Sequence, residues 1–240
     1  MNIFVEKNYD DVSKRAADIV AEQIKTKSDS VLGLATGSSP IGMYENLVKM
    51  YDDGEISFKN IKTVNLDEYV GLEPTDVSSY RYFMNHHLFS KVDIDIDNTH
   101  VPNGVAKDAN SECDKYSKMT RELGVDLQVL GLGENGHIGF NEPGTPFDQE
   151  THVVNLTEST IKANSRLFDK EEDVPRQAIS MGIKNIMDAK KIILIVTGQQ
   201  KADALAKVIN GPLTPEVPGS VLGLHHEVTV ICDEAAASKL

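Results

Sequence analysis

Short apolar runs alternating with amphipathic helical stretches constrain this chain more than any other feature. Strand-length segments rich in Val, Ile and Leu recur at Val31 to Ala35, Lys62 to Leu66, Asp126 to Leu130, Lys191 to Val196 and Glu227 to Ile231, bounded by Gly, Asp or Asn. Helical spacing fills the intervals: Pro40 to Tyr51, Ser78 to Phe89, Asp108 to Leu123, Thr157 to Leu167 and Gln199 to Ile209, the last closed by Asn210, Gly211 and Pro212. An earlier helix is marked by Val12, Ala16, Ile19, Val20 and Ile24, which follow the candidate caps Asp10 and Asp11. Strands that are nearly continuously apolar bury both faces, so the sheet they form is covered on both sides. The pattern therefore predicts an α/β fold, a mostly parallel sheet flanked by helices in a Rossmann-like, doubly wound arrangement. No internal repeat, low-complexity tract or long linker divides the chain, so residues 1–240 read as a single domain. In such sheets ligands sit at the carboxyl ends of the strands, near a switch in strand order.

Composition narrows the ligand class. A formal net charge of -13 argues against nucleic acid and against an anionic membrane, both of which demand a basic face. For a phosphorylated ligand the chain must supply a local positive site against its own field, which makes individual Lys and Arg positions informative. The two cysteines, Cys113 and Cys232, are far apart and in no metal-ligand spacing, so neither a disulfide framework nor a zinc site is indicated. The start MNIFVEKNYDD has no signal-peptide pattern and no apolar stretch reaches membrane-spanning length, so a cytoplasmic location is expected.

Three strand ends carry the chemistry. In LATGSSP, residues 34 to 40, a strand runs through Thr36, Gly37, Ser38 and Ser39 into a helix opened by Pro40. Gly37 allows a tight turn, Ser39 is placed to cap the helix, and amide N–H groups at a helix start attract an anion such as phosphate. The same residues also fit an ordinary capped turn. NLDEYVG, residues 65 to 71, sets Asp67 and Glu68 just past a strand, where they are either solvated loop acids or, in Asp67, a proton shuttle. At the ordinary carboxylate pKa of about 4, Asp67 would be ionised at neutral pH. LGLGENGHIGFNEPG, residues 130 to 144, opens with the spacing of a dinucleotide fingerprint. A true fingerprint runs straight into a helix with an acid about twenty residues on, whereas here His137, Gly139 and the breaker pair Pro143-Gly144 follow. We therefore read an irregular loop that lines a site and carries an imidazole and the Glu142 carboxylate.

These three motifs, followed by ANSR at 163 to 166, GQQKADAL at 198 to 205 and ICDE at 231 to 234, resemble the glucosamine-6-phosphate deaminases in order and spacing over nearly the whole chain. FNEP after Gly-His sets the resemblance apart from the 6-phosphogluconolactonases, which share the fold and typically continue differently at that point. The resemblance implies conversion of glucosamine 6-phosphate to fructose 6-phosphate and ammonia, with no metal and no organic cofactor. It implies that Asp67 moves the proton from C2 of the open-chain sugar to C1. It makes His137 the group that opens the pyranose ring, oriented by Glu142 and Asn135. Arg166 and Lys201 match phosphate-binding positions beside the Thr36 to Ser39 turn, Arg166 by paired N–H bonds and Lys201 as a point charge.

Two features depart from the long members of that family. Asn135 stands where they carry an aspartate, and the chain ends eight residues past Cys232, where the longer, hexameric, allosterically activated relatives continue. Hyperbolic kinetics without activation by the N-acetylated sugar phosphate is the corresponding expectation. His86 and His87 point about 100° apart on one helix and cannot share an ion as an i, i+4 pair does, and His225 and His226 lie in a short loop, so packing or surface roles are expected for both pairs. A sugar-lactone hydrolase and an inactive sugar-phosphate sensor are the other functions this fold accommodates. Oligomeric state is not legible.

Overall fold

A computed structural model describes residues 1–158, 161–162, 168, 170 and 174–240. Seven parallel strands form the main sheet: β1 (Asn2–Glu6), β2 (Val31–Leu34), β3 (Lys62–Asn65), β5 (Thr99–His100), β6 (Leu127–Gly131), β9 (Ile192–Val196) and β10 (Val228–Asp233). They lie in the order β1-β10-β9-β6-β2-β3-β5. The five strands expected from the apolar runs are all present, within a residue or two of the expected ends. Two more strands extend the edges. β1 carries only three apolar residues, Ile3, Phe4 and Val5, and leaves them exposed at the sheet edge, and β5 has only two residues.

Side chains alternate across the sheet as strand geometry requires. In β9, Ile192, Leu194 and Val196 enter one core while Ile193 and Ile195 enter the other. The second core is closed by α1 (Tyr9–Thr26), α2 (Ile41–Asp52) and α3 (Tyr80–His87), through Val12, Ala16, Val20, Met43, Leu47 and Met84. The first is closed by α4 (Ala109–Leu123), α5 (Ile183–Met187) and α6 (Ala202–Asn210), through Tyr116, Ile183, Ile186, Leu205 and Val208. The sheet is thus doubly wound. The expected helix at Thr157 to Leu167 falls largely outside the described residues. No helix among the described residues is long and apolar enough to cross a membrane.

A small antiparallel sheet, β4 (Asp67–Tyr69), β8 (Gln177–Ser180) and β7 (His152–Asn155), in the order β4-β8-β7, was not legible in the sequence. Its β4 follows β3 after a single residue: Leu66 still donates to Leu34 of the main sheet, at 3.3 Å, while its carbonyl accepts from Met181 of the small one, at 2.6 Å. This handover directs the chain at Asp67 from one sheet to the other.

Local capping differs from expectation in two places. Asn8, and neither Asp10 nor Asp11, caps α1, its Oδ1 accepting from the Asp11 N–H at 2.9 Å. Pro40 rather than Ser39 occupies the cap position of α2, which has no side-chain capping bond. Tyr9 substitutes for that bond: its hydroxyl accepts from the Gly42 N–H at 2.9 Å and donates to the Ser38 carbonyl at 2.8 Å. Tyr44, from inside α2, donates to the Ala35 carbonyl at 2.6 Å. The turn after β2 is therefore held by two tyrosines, which leaves Ser39 free to face the cleft described below.

β2 and β6 meet at the centre of the sheet, where the buried Gln128 side chain lies over Gly33; a Cβ on Gly33 would stand 2.0 Å from Gln128 Oε1. Gly33→Ala is expected to lose about 1–3 kcal/mol in urea unfolding through overpacking. Combining it with Gln128→Ala should recover part of that loss, and strictly additive losses would show that the two side chains do not compete.

Candidate active site

Strand order reverses between β2 and β6: β3 and β5 extend the sheet from β2, whereas β9 and β10 extend it from β6. The loops leaving these two strands diverge, and a cleft of about 680 Å³ opens between them. Thr36, Gly37, Ser38 and Ser39 form one wall. Asp67, Tyr80, residues 131–135 and His137 of the loop after β6, and Gln200 with Lys201 supply most of the rest. Three separate strand ends thus deliver their motifs to one place. Arg166 lies outside the described residues.

The turn after β2 presents amide hydrogens. Gly37 has φ +87°, a left-handed conformation that glycine adopts without a Cβ penalty. Among the described residues nothing accepts from the N–H groups of Gly37, Ser38 or Ser39. That is the arrangement an anion requires.

The adjacent acids Asp67 and Glu68 separate into two tasks. Glu68 is buried and accepts from the N–H groups of Tyr69, Tyr80 and Arg81 at 2.9, 3.0 and 2.9 Å, so it anchors the first turn of α3. Asp67 is 6% exposed and lines the cleft. Burial, reinforced by the charge of Glu68, pushes its carboxyl up to about 8. The sequence expectation of a carboxylate ionised at neutral pH at its ordinary pKa does not hold. The sequence placed Asp67 in a loop, whereas β4 buries it against β8, opposite Ser180.

The loop after β6 contains no helix before Thr151, as its breakers predict. His137 lies flat on bare backbone: a Cβ on Gly133 would come within 2.4 Å of its Cε1 and Nε2. Glu142 is buried behind it, with Oε2 3.5 Å from His137 Nδ1. That separation is long for a hydrogen bond but close enough to act on a protonated ring. Asn135 connects the two, its Nδ2 donating to the same Glu142 Oε2 at 2.7 Å while its Oδ1 accepts from the His137 N–H at 3.2 Å. Asn141 pins the loop from below by donating to the carbonyls of Ile138 and Met181, both at 2.9 Å.

Lys201 is carried by a short 3-10 turn after β9, Gln199–Lys201. Asp233 holds that turn: its carboxylate accepts from the Gly198 N–H at 2.9 Å and from the Ala236 N–H at 2.7 Å. This gives the ICDE motif a physical role. Burial lowers the pKa of Lys201, and the nearby charge of Glu134 opposes the shift.

One supporting segment escaped sequence reasoning. Between α6 and the 3-10 helix Pro218–Leu224, the chain folds back behind the His137 loop: Pro215 accepts from the Gly144 N–H and Gly136 from the Gly219 N–H, both at 2.9 Å. Val217 Cγ1 occupies the space a Cβ on Gly136 would need, 2.8 Å away. Pro215, Pro218 and Gly219 are turn-type residues that could have flagged this segment, but nothing in the sequence says which loop it braces. The histidine pairs outside the cleft are packed, His86 on Tyr82, His87 on Phe83 and His225 on His226.

The family model for glucosamine-6-phosphate isomerases and 6-phosphogluconolactonases matches residues 6–231. The chain belongs to that family. A glucosamine-6-phosphate deaminase of Thermoanaerobacter sp. (strain X514) is 53% identical over 99% of this chain and 94% of its own length. One from Clostridioides difficile (strain 630) is 53% identical over 100% of this chain and 97% of its own. Among solved structures, a monomeric glucosamine-6-phosphate deaminase superposes over 100% of both chains with a TM-score of 0.98 and 45% identity. The 6-phosphogluconolactonase of Trypanosoma cruzi, 20% identical with a TM-score of 0.78 over 100% of this chain and 96% of that one, shares the fold. Family membership and fold thus agree with the resemblance read from the motifs.

The Asn135 contact yields a physical test. A carboxylate at position 135 would meet Glu142 Oε2 at the present 2.7 Å, and two such oxygens approach only if they share a proton. Asn135→Asp is therefore expected to introduce a carboxyl that titrates well above the ordinary range, measured by carbon-detected NMR. Two carboxyls both titrating near 4 would mean that the Asn135 bond to Glu142 is absent in solution.

Proposed function

We propose that this chain isomerises and deaminates glucosamine 6-phosphate, releasing fructose 6-phosphate and ammonia. The observation that carries the reading is the meeting of a buried carboxyl, Asp67, and an imidazole, His137, in one cleft whose wall is an amide-rich turn facing Lys201. The 53% identity to named deaminases over almost the full chain supports it. One domain, residues 1–240, contains the whole constellation, and we place the reaction in the cytoplasm, consistent with two free, buried thiols.

In this reading the amides of Gly37 to Ser39, with Thr36, Lys201 and Arg166, hold the phosphate and fix the sugar in register. His137 passes the proton of the C1 hydroxyl to the ring oxygen, opening the pyranose. Glu142 stabilises the imidazolium that forms in passing, and Asn135 keeps the Glu142 carboxylate aimed at it. The open-chain aldehyde acidifies the C2 proton. Asp67, once deprotonated, takes that proton and returns it to C1, and the resulting C2 imine adds water and expels ammonia. A carboxyl raised towards 8 is a stronger base than an ordinary one, which suits removal of a carbon-bound proton. The C2 proton ends on C1, a proton from the nitrogen passes to O1, water supplies the C2 carbonyl oxygen and the nitrogen leaves as ammonia, so the balance needs no redox partner.

The decisive assay supplies glucosamine 6-phosphate and measures ammonia and fructose 6-phosphate, with 6-phosphogluconolactone in parallel. Turnover of the amino sugar alone is expected. Turnover of the lactone alone would replace the proposal with a lactonase, and turnover of neither would leave a sensor.

Asp67→Asn should abolish both deamination and exchange of the C2 proton with solvent. Wild-type kcat/KM should climb with pH and level off above about 8, because only the ionised form is a base. The stability effect has the opposite benefit. A carboxyl with a raised folded-state pKa costs stability as pH passes from its unfolded value towards about 8. Asp67→Asn should therefore be more stable than wild type, by a margin that widens from pH 4 to 8; a constant margin would show that the fold does not raise the Asp67 pKa, and retained C2 exchange would remove Asp67 from the role of base.

Lys201→Ala and Arg166→Ala should each raise KM with little change in kcat, by the equivalent of about 1–3 kcal/mol for a lost charged hydrogen bond. An unchanged KM would make the residue a surface cation.

A further inference from the structure

Glu134 is a carboxylate in the wall of a cleft proposed to bind an anion. It stands in the loop after β6, is exposed, and lines the same cleft as Lys201 and the amides after Gly37. It makes no hydrogen bond or close ion pair with any described residue, and the Lys201 ammonium likewise has none. The nearby acids are differently engaged: Glu142, behind the cleft wall, is bound by Asn135 and faces His137, and Asp67, the other acid lining the cleft, is buried in β4. The half-buried Lys201 has a desolvation cost that Glu134, acting through space, is placed to offset. On a chain of net charge -13, a further negative charge at this point weakens phosphate binding, so its position calls for a reason.

We propose that Glu134 is the resident counter-ion of Lys201, which the substrate's phosphate replaces. In the empty cleft the carboxylate favours the charged ammonium against the cost of its burial. When a phosphate arrives, the ammonium exchanges one anion for another, and Glu134, now repelled, swings towards solvent. Binding becomes an ion exchange rather than a simple neutralisation. Two consequences follow. A ligand without a full anion at that end, such as an unphosphorylated amino sugar, cannot compete with Glu134 for Lys201. The phosphate of the product is also held less tightly than the cations alone would hold it, which speeds release.

The inference rests on Lys201 being a phosphate ligand, so its test separates the two claims. Inorganic phosphate is titrated calorimetrically into the full chain at fixed pH and low salt. Glu134→Gln should bind it about three- to tenfold more tightly than wild type, as expected for removing one nearby charge in a partly screened cleft. Glu134→Asp, which keeps the charge, should stay near wild type, 0.5 M sodium chloride should shrink the gain, and KM for glucosamine 6-phosphate should fall in parallel. Phosphate bound no more tightly by Glu134→Gln, while Lys201→Ala loses it, would overturn the counter-ion role and leave the phosphate site standing. Phosphate bound equally by Lys201→Ala and wild type would overturn both; turnover of glucosamine 6-phosphate by the wild type then reports separately on the proposed reaction.

Discussion

The parallel pairing of β2 with β6 is only two residues long, Leu32 with Leu127 and Gly33 with Gln128, and the site depends on it. Beyond Gly33 the two chains part, because the sheet grows from β2 in one direction and from β6 in the other. Helical connections on opposite faces pull the strand-end loops apart, and the space between them cannot be filled by either neighbour. Gly33 makes the close approach possible, since the Gln128 side chain occupies the volume its Cβ would need. A cleft at the carboxyl ends, with helix-start amides on one wall, is the geometric result.

A cleft that must hold an imidazole, a carboxyl and an ammonium in register needs rigid loops, and here each loop is tied by a partner distant in sequence. Tyr9 and Tyr44 hold the turn after β2. Asn141 and the segment around Val217 hold the loop after β6 from two sides. Asp233 holds the turn after β9. The ties made by Tyr9, Tyr44, Asn141 and Asp233 join side chains to backbone groups, and all but that of Tyr9 are buried or half-buried, where an unmade bond is costly, so the loops have few alternative arrangements.

Asp67 shows the opposite balance. Glu68, next to it, is satisfied by three amides, whereas Asp67 is buried at the cleft wall with its ionised form disfavoured. A neutral residue would be easier to fold around. The proposed use of its basicity accounts for a carboxyl at this point, and it links the antiparallel sheet to the proposed chemistry.

Much of this was legible in the chain itself. The five apolar runs determined the parallel core, because strand-length segments so rich in Val, Ile and Leu are best buried between two helical layers. Gly37 and the breakers around His137 marked the loops, since those backbones need residues that tolerate unusual dihedrals or end helices. The spacing of LATGSSP, NLDEYVG and FNEP determined the family. Tertiary structure alone decided the rest. It buried Asp67 in a strand too short and too acidic to recognise, moved the capping of α2 from Ser39 to Tyr9, and put Asn135 between His137 and Glu142. It also brought Glu134 and Lys201, 67 positions apart in sequence, into one cleft. Local preference acts over a few residues, whereas a carboxyl's pKa and an ion's partner depend on whatever the fold brings within several ångströms, and that is set only when the whole sheet is assembled.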